Sequence, residues 1–189
     1  MTMCDLLKAR TIDEIILEIM EKEGFRSNNE DDLGGDTTYG ITEATARRLG
    51  YEGSMADLTP DIAKTLYLHE YVLRVRFDLV HAVSQIIGEE LIDTGVNMGQ
   101  GIAAKFLQRW LNVYNNKQQY YKDLLVDGHI GPATITALKA FLAKRGQEGE
   151  KVLWKSLNAS QGGRYLEISE SREKNETFVY GWMKNRVGI

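Results

Sequence analysis

Little in this sequence asks for a covalent, metal or membrane scaffold. One cysteine, Cys4, occurs in 189 residues, so no internal disulfide can form and folding needs no oxidising compartment. Cys4 lies in a terminal segment, a poor place for a catalytic thiol, and no Cys-His setting accompanies it. The three histidines, His69, His81 and His129, lack the ligand spacing of a zinc site. No metal and no other cofactor is expected. No run of about 18 apolar residues occurs, so no transmembrane helix is expected. Met1 to Arg10 lacks an apolar stretch followed by a small-residue cleavage site, so no signal peptide is expected either. Synthesis is therefore expected in the cytoplasm, and any target beyond the membrane would be reached by another route. Positive charge is not in excess: 23 Lys and Arg stand against 27 Asp and Glu, a net charge of −4. That balance argues against a dedicated nucleic-acid binder, which carries a basic field.

What is present is the composition of a water-soluble globular chain, 43% hydrophobic and 26% charged with two prolines, long enough for one well-cored domain or two small lobes. From Thr11 the pattern is helical. Thr11 and Glu14 form a capping box, and Ile12, Ile15, Ile16, Ile19 and Met20 make one apolar stripe. Gly24 ends that helix, leaving Glu23 in its last turn. Gly34 and Gly35 mark a turn, and Thr37, Thr38, Tyr39 and Ile41 predict a short hairpin. Thr42 reads as the N-cap of a second helix to about Leu49, and Thr59-Pro60 opens a third reaching roughly Arg76. Further helices are predicted from Val80 to Thr94, Gly101 to Val113, Pro132 to Leu142, around Val152 to Leu157, and Gln161 to Arg172. Asn115 to Tyr121 reads as a polar loop or a frayed helix end, and Gly146 to Gly149 as a break. The fold class is mainly α, with one short β-hairpin.

Chemistry concentrates between Glu23 and Thr42. A carboxyl at a helix C-terminus faces the negative end of the macrodipole, which disfavours its ionisation and suits it to act as a general acid. Asp31 and Asp32 lie in a polar, glycine-flanked loop where a carboxylate stays ionised. A protonated carboxyl opposed to an ionised one is the apparatus of glycoside hydrolysis. The Thr38 hydroxyl, which both donates and accepts, suits the orientation of a water. Glu43 reads either as a first-turn helix acid or as a cleft residue, the former being favoured.

Glu23-Gly24, the Asp-x-Gly-Gly of Asp32 to Gly35 and the Thr-x-Tyr-Gly-Ile-Thr of Thr37 to Thr42 resemble the signature of glycoside hydrolase family 108, which contains phage-type N-acetylmuramidases and secretion activator proteins. The resemblance spans about residues 12 to 90. Phe25 and Arg26 stand where Gly-Tyr is usual, Asn29-Glu30 where Asp-Pro is common, and Leu33 where Pro is common. None of these removes the Glu. A second likeness, to the phage-type lysozymes of family 24, lies in the spacing of Glu23, Asp32 nine residues on and Thr38 fifteen on. The resemblance implies a lysozyme-like helical fold with the hairpin near the active site. It also implies that Glu23 protonates the glycosidic oxygen while Asp32 and Thr38 hold the attacking water or steady the oxocarbenium-like charge. If so, the two carboxyls should stand about 6.5–9.5 Å apart, the inverting range. Asp31 and Tyr39 are candidate substrate contacts.

Farther along, Asp127-Gly128-His129-Ile130-Gly131-Pro132-Ala133-Thr134 resembles a motif of the peptidoglycan-binding region that follows the catalytic part in family 108. Asp93, Asn97, Gly99, Leu107-Gln108, Gly181-Trp182 and Arg186 fit the same pattern, and Asn97 joins the candidate substrate contacts. Asp127-Gly128 is itself a tight-turn signal, so Asp127 is expected chiefly as a turn former. Trp110, Trp154 and Trp182 are candidates for sugar stacking, but at helical spacing they are expected chiefly in the core. Tyr120 and Tyr121, in a polar loop, are expected as exposed sugar stackers. Lys105, Arg109, Lys117 and Lys122 form a basic strip that could meet an anionic wall, although such charges usually only solvate a helix face.

Together these imply a catalytic part over 10–93 and a wall-binding helical part over 94–189 packed on it. The expected activity is an N-acetylmuramidase on peptidoglycan glycan strands, with a holin or a secretion machinery giving access to the wall. The rival readings are a non-catalytic wall-binding or secretion-accessory protein, and a lytic transglycosylase.

Overall fold

The computed structural model describes residues 10–23, 26–27 and 37–188, with the backbone alone for 22, 23, 26 and 27. The chain divides into two compact units, Met1–Asp78 and Leu79–Ile189. Among the described residues no helix is long and apolar enough to cross a membrane.

In the first unit α1 (Ile12–Glu23) starts at the expected capping box. The Thr11 amide donates to Glu14 Oε2 (2.8 Å), and the Glu14 amide donates to Thr11 Oγ1 (3.2 Å). The helix buries Ile15, Ile16, Ile19 and Met20, the predicted stripe, and packs against α3 (Pro60–Tyr67). Lys64 of α3 closes on Asp13 at 2.7 Å. Between them lie β1 (Arg26–Ser27), β2 (Thr37–Thr38) and β3 (Ile41–Thr42), an antiparallel sheet in the order β1-β2-β3. The hairpin β2–β3 is the expected one, and β1 adds a third strand that no local pattern announced. Its two-residue loop, Tyr39-Gly40, has φ of 53° and 74°, as a type I′ turn requires.

Thr42 then caps α2 (Glu43–Arg48) and Thr59 caps α3, each accepting a backbone N–H at 3.3 Å. Where the sequence predicts one helix to about Arg76, α3 passes into a wider π turn, Leu68–Leu73, and ends at Arg76 with φ 62°.

The second unit is built from long helices: α5 (Gln85–Met98), α6 (Gln100–Tyr114), α7 (Pro132–Ser171) and α8 (Glu176–Arg186). α5, α6 and α7 pack on one another, and α8 packs on α7. Ile87, Leu91, Ile92, Leu107, Leu111, Leu138, Leu153 and Tyr165 fill the core.

Two expectations change here. The helix predicted from Val80 to Thr94 is two helices, α4 (Phe77–Val83) and α5, joined at an elbow on Ser84. Ser84 adopts an extended backbone and accepts the Ile87 amide at 3.3 Å. The elbow closes because residue 88 is glycine: a Cβ there would stand 2.4 Å from the His81 Cα. The helices predicted at 152–157 and 161–172 are instead one continuous arm of α7, which breaks only at Gly146 (φ 59°, ψ −154°).

Candidate active site

The first unit brings its chemistry together where α1 stops. Glu23 is the last residue of α1, at the helix end whose dipole favours a neutral acid. Three residues later β1 begins, and it pairs Arg26 with Thr38 and Ser27 with Thr37. Three residues span at most about 11 Å and antiparallel partners lie about 5 Å apart. The Thr38 backbone therefore lies within roughly 16 Å of the Glu23 backbone, although fifteen residues separate them.

Thr38 is only 7% exposed, and its hydroxyl donates to the Met55 carbonyl at 3.1 Å. While that bond stands, its oxygen can accept a hydrogen from a water but not give one. Tyr39, half-buried, sits at the hairpin tip in the left-handed region. Asp31 and Asp32, with Gly24, Phe25 and the Glu23–Asp32 separation, lie outside the described residues.

The sheet and α2 are held from below by charge. Glu43 sits in the first turn of α2 and pairs with Arg47 at 2.9 Å, the favoured of its two readings. Arg47 also donates to the Tyr51 and Gly53 carbonyls, at 2.7 and 2.6 Å, fixing the loop that leads to Met55. Arg48 reaches Glu70 (2.8 Å), and Arg74 reaches the other oxygen of Glu70 (2.6 Å). Burial alone would raise the Glu70 pKa, but the hydrogen bonds and charges of Arg48 and Arg74 outweigh it and hold the carboxyl below its ordinary value. Sequence reading passed over Glu70. Its i,i+4 relation to Arg74 was legible, but the Arg48 contact was not.

The remaining candidates belong to the second unit. Asn97 accepts from the Tyr165 hydroxyl at 3.0 Å. Asp93 accepts from Gln161 (3.1 Å) and from Arg186 (3.2 Å). These residues pin α5 to α7 and α8. Among them Glu90 was also missed: Asn158 donates to one oxygen at 2.6 Å and Thr94 to the other at 3.2 Å. Burial, aided by the neighbouring Asp93, pushes its pKa up to about 8.

Tyr120 and Tyr121 are not the exposed pair expected, since both are half-buried. The fully buried Asn115 organises the loop. Its Oδ1 accepts the amides of Tyr120 and Tyr121, each at 3.1 Å, and its Nδ2 donates to the Tyr121 carbonyl at 2.6 Å. The Tyr121 hydroxyl donates to the Leu111 carbonyl at 2.6 Å, and burial pushes the phenol up to about 12. The Tyr120 ring lies under Lys144, with Nζ 5.6 Å from the centroid.

Asp127 behaves as the expected turn former. It accepts from Gln108 Nε2 and from the His129 amide, both at 2.8 Å, while the Gly128 amide donates to Gln108 Oε1 at 2.9 Å. The Gln108 bond, with the His129 amide, holds its carboxyl below the usual range. Trp110, Trp154 and Trp182 are half-buried among the helices.

The architecture is that of a mainly α, lysozyme-like protein with its small sheet directly after the first helix. The fold is similar to that of the solved structure titled "Structure of Brucella abortus SagA", with a TM-score of 0.61 and 22% identity over 90% of this chain and 86% of that one. Residues 16–99 match the family model described as Glycosyl hydrolase 108, and residues 102–187 match the one described as Predicted Peptidoglycan domain. Between them the two matches span residues 16 to 187 of the chain. No curated protein gives a significant match. The hydrolase match runs past the division of the two units at Asp78, so α5 lies within that match in sequence and within the helical second unit in packing.

Proposed function

We propose that the protein is an endo-acting N-acetylmuramidase that cleaves the β-1,4 bond after N-acetylmuramic acid in peptidoglycan. One observation carries the reading: Glu23 ends α1 and is followed at once by a sheet that returns Thr38 towards it. In this reading Glu23 protonates the leaving glycosidic oxygen. Asp32, ionised in its polar loop, takes the proton of the attacking water, and Thr38 positions that water by accepting its second hydrogen. Asp31, Tyr39, Asn97, Tyr120 and Tyr121 are the residues proposed to touch the glycan, the last through its ring rather than its committed hydroxyl. No cofactor is required. A holin or a secretion machinery would give the protein access to the wall.

A zymogram of wild type against Glu23→Gln tests the acid. Clearing by wild type with a loss of about 10³-fold in the variant is expected, since positioned acid catalysis is worth about 10²–10⁴. Clearing by both proteins, or by neither, overturns the assignment. Mass analysis of the released fragments then separates hydrolysis from its rival. Reducing muramic acid ends are expected, and anhydro ends would make the protein a lytic transglycosylase.

A further inference from the structure

The second unit holds a cavity of about 260 Å³ lined by Tyr114, Phe141, Arg145, Glu148, Gly149 and Val152. Two glycines make it. α7 breaks at Gly146 in a backbone conformation open essentially only to glycine. At Gly149 a Cβ would stand 2.1 Å from the Arg145 Cβ and 3.4 Å from the Phe141 ring. Alanine at either position would push the wall inwards or straighten the break.

The floor is locked. Tyr114 stacks on Trp110 and on Phe141, with centroids 5.3 and 5.7 Å away and ring planes within 25°. Its hydroxyl is hydrogen-bonded to Ser156 Oγ at 2.5 Å, and Trp110 Nε1 donates to Ser160 Oγ at 2.8 Å.

The rim is different in kind. Arg145 and Glu148 are exposed, and neither has an ion-pair or hydrogen-bond partner among the described residues. An apolar floor between a free guanidinium and a free carboxylate complements a small zwitterion with an aliphatic body. The volume, just below the usual range for small-molecule sites of about 300–1,000 Å³, suits one or two amino-acid residues.

Within peptidoglycan that description fits the stem peptides, which carry methyl groups, free carboxylates and a free amine, and does not fit the neutral amino sugars. We propose that this cavity binds the stem peptide, with Arg145 taking a carboxylate through its paired N–H donors and Glu148 taking the ammonium group. The choice of peptide rests on the peptidoglycan reading above.

Calorimetric titration of the full chain tests the assignment with two probes: a synthetic stem tetrapeptide containing a free diamino-acid amine, and a peptide-free chitotetraose. The tetrapeptide should bind, and Arg145→Glu and Glu148→Lys should each weaken it at least 10-fold. Lys139→Glu, an equal charge change at an exposed position on the same arm of α7, should change it less than twofold. Absence of tetrapeptide binding to wild type overturns the proposal. So does an equal loss in Lys139→Glu, or displacement of the tetrapeptide by chitotetraose. Glycan cleavage measured on the same preparations keeps the two readings apart. Peptide binding without cleavage removes the muramidase and leaves the cavity, whereas cleavage without peptide binding does the reverse.

Discussion

Glu70 in the first unit and Glu90 in the second are both glutamates withdrawn from water, 4% and 7% exposed, and their surroundings differ in one respect. Glu70 is met by two guanidiniums, each about half exposed, so the cations keep their hydration while the carboxylate loses its own. Charge-assisted bonds then outweigh desolvation. Glu90 is met by an amide and a hydroxyl, with Asp93 nearby. Neutral donors cannot offset the burial, and the carboxyl is held neutral up to about pH 8. Depth alone therefore does not decide the charge state of a buried acid; the charge of its partners does. The unit that carries Glu23 meets its buried glutamate with cations, and the helical unit meets Glu90 with neutral donors beside the Asp93–Arg186 ion pair.

The sharpest way to break this contrast is with pH. The Glu90 pKa rises from about 4.5 to about 8 on folding. Its protonation therefore stabilises the folded chain fully below about pH 4.5, and that contribution is lost as pH climbs to about 8, at roughly 1.4 kcal/mol per unit. Glu90→Gln should flatten the slope in thermal unfolding over that window. An unchanged slope would refute the neutral state. Glu70 has the opposite sign: its folded pKa is depressed, so its contribution is present above about 4.5 and lost as pH falls below it. Hydrogen exchange should thus show α5 loosening first in alkali, and α2 with the π turn loosening first in acid.

Next in size is Gly88→Ala. The added methyl meets His81 backbone, which cannot rotate away, so the elbow that presents α5 must open. Overpacking of this kind costs about 3 kcal/mol, read as a drop in melting temperature, while protection of α1 in hydrogen exchange should stay as it was. Smaller again is Glu70→Ala. Removing a buried partner of an ion pair costs about 3–5 kcal/mol, but here both arginines return to water, so about 2 kcal/mol is expected from denaturant unfolding. Arg74→Ala should cost less than Glu70→Ala, because Arg48 still neutralises the acid; the reverse order would contradict the bracing role. Smallest is Thr11→Ala, which removes one capping box for about 1 kcal/mol, with circular dichroism reporting the fraying of α1.

The candidate site was legible in the sequence to the extent that its parts are local. Glu23 in the last turn of α1, the short hairpin near Thr37 to Ile41 and the Thr42 cap all depend on contacts within four residues. The proximity of Thr38 to the end of α1 was available only through the family likeness, because β1 is too short to announce itself. Tyr120 and Tyr121 were misjudged because the loop looks polar, and a polar loop was taken as a solvated one. Asn115 is polar because it is buried, with four backbone and side-chain partners to satisfy.

By itself, then, the sequence determined where α1, α2 and α3 begin, that a break falls at Gly146 to Gly149 and that a short hairpin lies near Thr37 to Ile41; the turn itself, at Tyr39-Gly40 rather than at Gly34-Gly35, it did not. Caps, positive φ and helical periodicity are all settled by atoms a few residues apart. Only the tertiary structure decided that α4 and α5 meet at an angle, that Gln108 holds Asp127, that Glu70 is ionised and that Glu90 is not. Each of those depends on a partner brought from another element: His81 against Gly88, Gln108 nineteen residues from Asp127, Arg48 twenty-two from Glu70, Asn158 sixty-eight from Glu90. Desolvation and pairing act through space, and the local pattern carries no record of who will be near.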